Sequence, residues 1–95
     1  MARLIWSPKA ADDLEAVCEY IARDSGHYAR LFAARIIALV EQIAEFPTSG
    51  RVVPEYDDHN VRERILQNYR VVYRTKPDSA EIVAIVHAAR LLKNL

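Results

Sequence analysis

Apolar and polar positions follow helical spacing in the first half of this chain and two-residue alternation in much of the second. Arg3–Trp6 is short and mostly apolar, as a strand would be, and Ser7-Pro8 follows at once. Serine is favoured as the cap before a helix and proline at its first position, so strand gives way to helix here. Ala10, Leu14, Val17 and Ile21 recur at three- and four-residue steps and predict a helix from Pro8 to about Asp24 with one buried stripe. Asp12, Asp13 and Glu15 fall near its positive end. Ser25-Gly26 breaks the pattern. The second helix, His27 to Phe46, carries two stripes: Tyr28, Phe32, Ile36, Leu39 and Ile43, and beside them Ala29, Ala33, Ile37, Val40 and Ala44. A surface helix needs only one. This helix is therefore either sandwiched between the first helix and a sheet, or part of it is left for a partner. Pro47 ends it, because its ring cannot sit in a continuing turn.

Thr48–Asn60, with Gly50, Pro54 and several acidic residues, reads as an irregular loop. Three strands are predicted beyond it, at about Val61–Leu66, Tyr69–Thr75 and Ala80–His87. Gln67-Asn68 and Lys76–Ser79 supply turns short enough to join them as an antiparallel meander. In the middle strand Tyr69, Val71 and Tyr73 point one way, and Arg70, Val72 and Arg74 the other. The unbroken run Ile82–Val86 predicts an interior strand covered on both faces. Ala88–Leu95 is left as a turn or two of helix, or a loose tail. The order strand, helix, helix, strand, strand, strand predicts a single α+β two-layer domain over residues 1–95, a helical hairpin lying across one face of a sheet that the first strand also joins.

Ninety-five residues hold one core. The 52% apolar content is slightly high for so small a body, and a domain that cannot bury its apolar surface usually covers some of it with a partner. The net charge is zero, so no global field draws the protein towards nucleic acid. Residues 1–50 nevertheless hold 5 basic against 7 acidic side chains, and residues 51–95 hold 8 against 6. Arg62, Arg64, Arg70 and Arg74 face Glu63 alone within Val61–Thr75, which concentrates arginine on the sheet. The single cysteine, Cys18, rules out an internal disulfide and a cysteine zinc site and fits a reducing cytosol. No apolar run suits a signal peptide or a membrane span, so a soluble cytoplasmic protein is expected.

The three histidines are far apart, and neither a metal-ligand spacing, a phosphate loop nor a nucleophile turn is present, so no metal or cofactor is expected. Cys18 falls beside the buried stripe of the first helix and reads as a structural thiol. The arginine-bearing strands, with Tyr69 and Tyr73, have three uses open to them. They can hold a phosphate backbone and stack a base, bind an acidic protein segment, or simply be solvated. Arg70 and Arg74 lie on one side of their strand and make the firmest pair. His87 and Arg90 close the last strand; a histidine there is a candidate acid or base. Glu63, between two arginines, reads as an ion-pair partner rather than a base.

Several short patterns occur in order: Trp6-Ser7-Pro8-x-Ala10-x-x-Asp13-Leu14, Tyr20-Ile21-Ala22, Pro47-x-x-Gly50-Arg51, Arg62-Glu63, Tyr69-Arg70-Val71-Val72-Tyr73-Arg74 and Val86-His87-x-x-Arg90. Together they resemble the ParE branch of the RelE/ParE toxin superfamily over nearly the whole chain. The resemblance implies the toxin of a type II toxin–antitoxin module of the plasmid-stabilisation kind. It also implies a ParD-like antitoxin whose C-terminal segment wraps the toxin, and inhibition of DNA gyrase without catalysis by this chain and without sequence-specific DNA binding. On that footing the antitoxin site falls on Ala29, Ala33, Ile37, Val40 and Ala44, and target contacts fall on Arg70, Tyr73, Arg74, His87 and Arg90. The superfamily's other branch cleaves mRNA on the ribosome; Arg62, Arg70, Arg74 and His87 are the residues that would serve it here. The chain departs from that branch in lacking its clustered lysines and in placing Leu91-Leu92 where a terminal aromatic or His-Tyr pair stands. A third reading is a homologue that binds antitoxin without being toxic.

Overall fold

A computed structural model describes residues 2–92 of the chain, and the end of the expected tail, residues 93–95, lies outside them. The elements are β1 (Arg3–Trp6), α1 (Pro8–Ala22), α2 (Gly26–Glu45), β2 (Arg51–Val52), β3 (Val61–Leu66), β4 (Tyr69–Thr75) and β5 (Ser79–His87). They form an α+β domain in which the two helices cover one face of a five-stranded sheet ordered β1-β5-β4-β3-β2. β3, β4 and β5 are the expected antiparallel meander, and β1 joins its far side parallel to β5, with Arg3 opposite Ser79 and Trp6 opposite Ile82. One expectation is corrected. The stretch read as an irregular loop contains β2, which pairs Arg51 with Glu63 and Val52 with Arg62. Two residues are too short a run to show alternation.

α1 begins as its sequence requires: the Ser7 hydroxyl accepts from the Ala10 amide, and Pro8 opens the first turn. No acidic residue lies in that turn, so the helix-dipole role expected of the nearby aspartates is not the one Asp13 fills. Val83 is an extra residue in β5, because Tyr73 pairs with Ile82 and Val72 with Ala84. This bulge lies just past the end of β1, where the edge of β5 loses its strand partner. Three groups from the start of α1 take over. The Ser7 amide donates to the Ile82 carbonyl (2.9 Å), the Ser7 hydroxyl donates to the Val83 carbonyl (3.2 Å), and Asp13 Oδ2 accepts from the Ile85 amide (2.9 Å). A bulge leaves backbone groups unpaired; here the Ser7–Asp13 segment satisfies them. The bulge also places both Ile82 and Ile85 on the helix-covered face, which strict alternation would forbid.

That face holds the main core: Phe32, Ile36, Leu39, Val40 and Ile43 of α2 pack with Ala10, Val71, Tyr73, Ala80, Ile82 and Ile85. Full burial of each large side chain contributes roughly 1.5–3 kcal/mol, several times what a surface ion pair offers, so packing fixes the helical layer. Tyr28, expected in this stripe, is exposed instead at the helix start. The second stripe divides. Ala29, Val40 and Ala44 are buried against the chain itself, whereas Ala33 is half-buried and Ile37 is 43% exposed. On the opposite face a smaller cluster of Val53, Val61, Val72, Ala84, Val86 and Leu92 is covered by the Val53–Tyr56 turn and by Leu92. β5 is thus covered on both faces, as its unbroken apolar run predicts.

Candidate functional site

On the face away from the helices, the arginine-bearing strands build one charged network. Arg70 is 5% exposed. Its Nη1 and Nη2 donate to the two oxygens of Glu55 (2.6 and 2.8 Å), its Nε donates to Glu63, and Nη1 also donates to the Arg90 carbonyl (2.9 Å). Glu63 is itself buried, and its other oxygen accepts from Arg51 Nε at 2.6 Å. Glu63 is therefore an ion-pair partner, but of Arg51 and Arg70, because its sequence neighbours Arg62 and Arg64 point to the other face. The Leu92 amide donates to Glu55, so the same carboxylate pins the segment after β5. The hydrogen bonds from Arg70 hold the Glu55 carboxyl down at about 2 although burial works against them, and Arg70 in turn is pushed upward and stays charged.

A depression of about 470 Å3 opens over this network, lined by Arg51, Pro54, Glu55, Ile65, Arg70, Ala88 and Leu91. Two arginines there are matched by two carboxylates, Glu55 and Glu63, so the depression holds no net positive charge for a phosphate. Four of the five donor hydrogens of Arg70 are already engaged.

A second assembly ties the Pro47–Arg51 turn to the sheet. Tyr73 is fully buried; its hydroxyl donates to the Pro47 carbonyl (2.7 Å) and accepts from the Gly50 amide (2.9 Å). A Cβ at position 50 would lie 2.5 Å from the Glu63 carbonyl and 2.6 Å from the Tyr73 hydroxyl, so only glycine fits. Arg62 donates to the Gly50 and His59 carbonyls, and Arg64 to Ser49 and to Gln42 of α2. These arginines staple the turn in place.

The set named for RNA cleavage is split by the sheet. Cross-strand partners share a face. Arg62 lies opposite core Tyr73, and His87 lies opposite Tyr69, whose ring meets Phe32 of α2 on one side and His87 on the other. Arg62 and His87 therefore belong to the helix side, and Arg70 and Arg74 to the opposite side. His87 is exposed and its Nδ1 accepts from the Ala89 amide at 3.2 Å. Arg74 lies opposite Val61 on β3 and Glu81 on β5, half-buried, with its Nε buried and unpaired among the described residues. Of the residues named as target contacts, Arg70 and Tyr73 are buried, and Arg74, His87 and Arg90 remain reachable. Burial raises the Cys18 thiol, whose sulfur lies 3.9 Å from the Ala29 carbonyl, as suits a structural residue. Among the described residues no group of three or more metal-ligating side chains comes together, and no helix is long and apolar enough to cross a membrane.

Sequence reasoning missed Glu55 and Arg51 as members of the network. Glu55 sits in a polar turn with no periodicity, and Arg51 meets Glu63 only through the two-residue β2. Several of the patterns that carry the family resemblance serve the fold. Ser7, Pro8 and Asp13 start α1 and seal the bulge; Pro47, Gly50, Arg51, Glu63, Arg70 and Tyr73 lock the central turn to the sheet.

The comparisons with known proteins agree with this framework. Toxin RelE2 of Caulobacter vibrioides is 33% identical over 92 residues, covering 96% of this chain and all of that protein. A Sinorhizobium fredii protein, Y4kP, is 33% identical over 88 residues, covering 90% of this chain and 88% of its own. The fold is that of a chain from the chromosomal ParDE toxin–antitoxin system of P. aeruginosa, with a TM-score of 0.77, 24% identity and coverage of 92% of this chain and 96% of that one. The family model for the ParE toxin of the type II toxin–antitoxin system parDE matches residues 4–92. Since that match spans the helical hairpin, the bulge and the whole charged network, the chain belongs to the ParE toxin family of type II toxin–antitoxin systems.

Proposed function

We propose that this chain is a cytoplasmic toxin that a ParD-like antitoxin covers, and that it acts by binding DNA gyrase rather than by cleaving RNA. The observation that supports the second part is that four of the five donor hydrogens of Arg70 are already engaged within the chain. Metal-free RNA cleavage needs a base, an acid and free cations converging on one phosphate. Here the best-placed cation is bound by Glu55, Glu63 and the Arg90 carbonyl, and the histidine lies across the sheet from it. A protein whose action is binding needs none of these groups to be free. Exposed His87 and Arg90 and half-buried Arg74 are the contacts this reading assigns to the target. Family membership supports the antitoxin, and the ParDE neighbour supports its ParD-like character.

The name of the Caulobacter relative, RelE2, favours a second reading, ribosome-dependent cleavage of mRNA. One experiment separates them. Purified protein is incubated with gyrase, supercoiled plasmid and ATP, and in parallel with translating ribosomes. The gyrase reading expects cleaved complexes or lost supercoiling, relieved by the co-expressed product of the neighbouring reading frame, with mRNA left intact. Normal supercoiling at excess toxin, together with mRNA fragments that disappear in His87→Ala, would reverse the assignment.

A further inference from the structure

The open edge of the sheet next to α2 offers a more specific partner site. Backbone groups alternate sides along a strand. The Arg3 and Ser7 amides donate towards β5, to the Asp78 and Ile82 carbonyls, so the backbone groups of Leu4 and Trp6 face the other way, on the outer edge of the sheet. No strand of the described residues lies there, because β1 ends the order. Among the described residues the one backbone bond made there is at its start, where the Ala2 amide donates to the Ala44 carbonyl of α2 (2.8 Å). Beside this edge runs a groove of about 440 Å3 lined by Ala2, Leu4, Glu41, Ala44 and Glu45.

The exposed face of α2 leads into that groove. Ala33, Ile37, Glu41 and Glu45 follow one another at four-residue steps and form a single stripe, apolar for two turns and acidic for the next two. Glu41 and Glu45 make no ion pair among the described residues, whereas Glu55, Glu63, Glu81 and Asp13 each do. Like charges one turn apart repel each other, so a cation seated between them removes a cost as well as adding an attraction.

We propose that the β1–α2 seam seats an extended segment of the partner protein as a sixth strand on β1, and that Glu41 and Glu45 select a segment carrying Lys or Arg along its α2-facing side. The site rests on the reading that a second polypeptide covers this chain, and it specifies the chemistry of the part that does so. Main-chain bonds to Leu4 and Trp6 supply affinity without regard to sequence; the acidic pair and the apolar groove supply selection. A helix does not suit this position, because its backbone groups are already paired internally and cannot satisfy a strand edge.

The test uses the 15N-labelled chain and two synthetic ten-residue peptides, one alternating valine with arginine and one alternating valine with glutamate. The expected result is that the arginine peptide shifts the Leu4 and Trp6 amide signals and slows their hydrogen exchange, while the glutamate peptide binds at least tenfold more weakly. Glu41→Gln with Glu45→Gln, both on the exposed surface, should leave the spectrum of the free protein unchanged and weaken the arginine peptide roughly tenfold at low salt. Equal binding of the two peptides, shifts confined to other surfaces, or protection of Leu4 and Trp6 that rises with protein concentration and needs no peptide would each overturn the proposal. None of those results bears on whether the neighbouring reading frame encodes an antitoxin, which co-purification decides separately.

Discussion

Arg70 and Glu55 meet fork to fork, with two near-parallel hydrogen bonds of 2.6 and 2.8 Å joining the guanidinium of β4 to a carboxylate in the turn after β2. The pair is the centre of the network on the face away from the helices, and it gives the stability of this protein a definite pH signature. The Glu55 carboxyl lies at about 2 when folded, below its ordinary value of 4.5. A depressed folded pKa contributes stability that is complete above the unfolded value and disappears as pH falls through the folded one. Urea midpoints should therefore fall between about pH 4.5 and pH 2, and Glu55→Gln should flatten that part of the profile. An unchanged acid limb in the variant would show that the pair does not set it.

Removing the arginine is expected to be worse than removing this one partner. Arg70→Ala leaves Glu63 buried with only the exposed Arg51, and frees the Arg90 carbonyl and Glu55 together. Breaking a buried pair from one side costs about 3–5 kcal/mol. Urea unfolding gives the magnitude, and faster exchange of the Leu92 amide is expected with it, since Glu55 loses its anchor.

Gly50→Ala tests the central turn. The added methyl meets a backbone carbonyl and a tyrosine hydroxyl that is held at both ends, so neither neighbour can retreat easily. The expected loss is about 1–3 kcal/mol, read by thermal unfolding. A neutral outcome would mean that the turn can slide along the sheet.

Asp13→Ala tests the bulge. The Ile85 amide loses its acceptor at a position where no strand lies beside β5, which costs about 1–3 kcal/mol. Hydrogen exchange at Ile85 should accelerate far more than at Val71, which lies opposite it within the intact ladder.

Ile37→Arg addresses the side of α2 proposed to face the antitoxin. The residue is 43% exposed, so the free protein should keep its melting temperature. Antitoxin affinity, by calorimetry with the product of the neighbouring frame, should fall by about 2–4 kcal/mol. Undiminished affinity would place the antitoxin's anchor elsewhere.

Where one pattern dominated, the fold was legible. The cap at Ser7, the stop at Pro47, the two helices and the three meander strands follow from spacing and breakers alone, and the double apolar character of β5 foretold cover on both its faces. The second stripe of α2 divides between the two uses the sequence leaves open: Ala29, Val40 and Ala44 pack inward, while Ala33 and Ile37 stay accessible. From Ile37 a three-residue step reaches buried Val40, and four-residue steps reach exposed Glu41 and Glu45. Either step is regular on a helix, and the sheet and helix packed against α2 decide between them. The charged site was less legible for a related reason. Alternation correctly put Arg70 and Arg74 on one face, but nothing local announces that Glu55, 15 residues earlier in a turn, reaches Arg70. Long-range ion pairs carry no period.

The parallel pairing of β1 with β5 also constrains how the molecule comes into being. Ser7, at the end of the first strand, reaches across 76 residues of chain to Val83 in the last. Contacts so distant in sequence close late and slowly. During synthesis the strand made first must wait, unpaired, for the strand made last, and until then neither the bulge nor the finished sheet exists. The parallel pair and the bulge beside it can therefore form only after β5 has been made, so the folded state is acquired late rather than strand by strand.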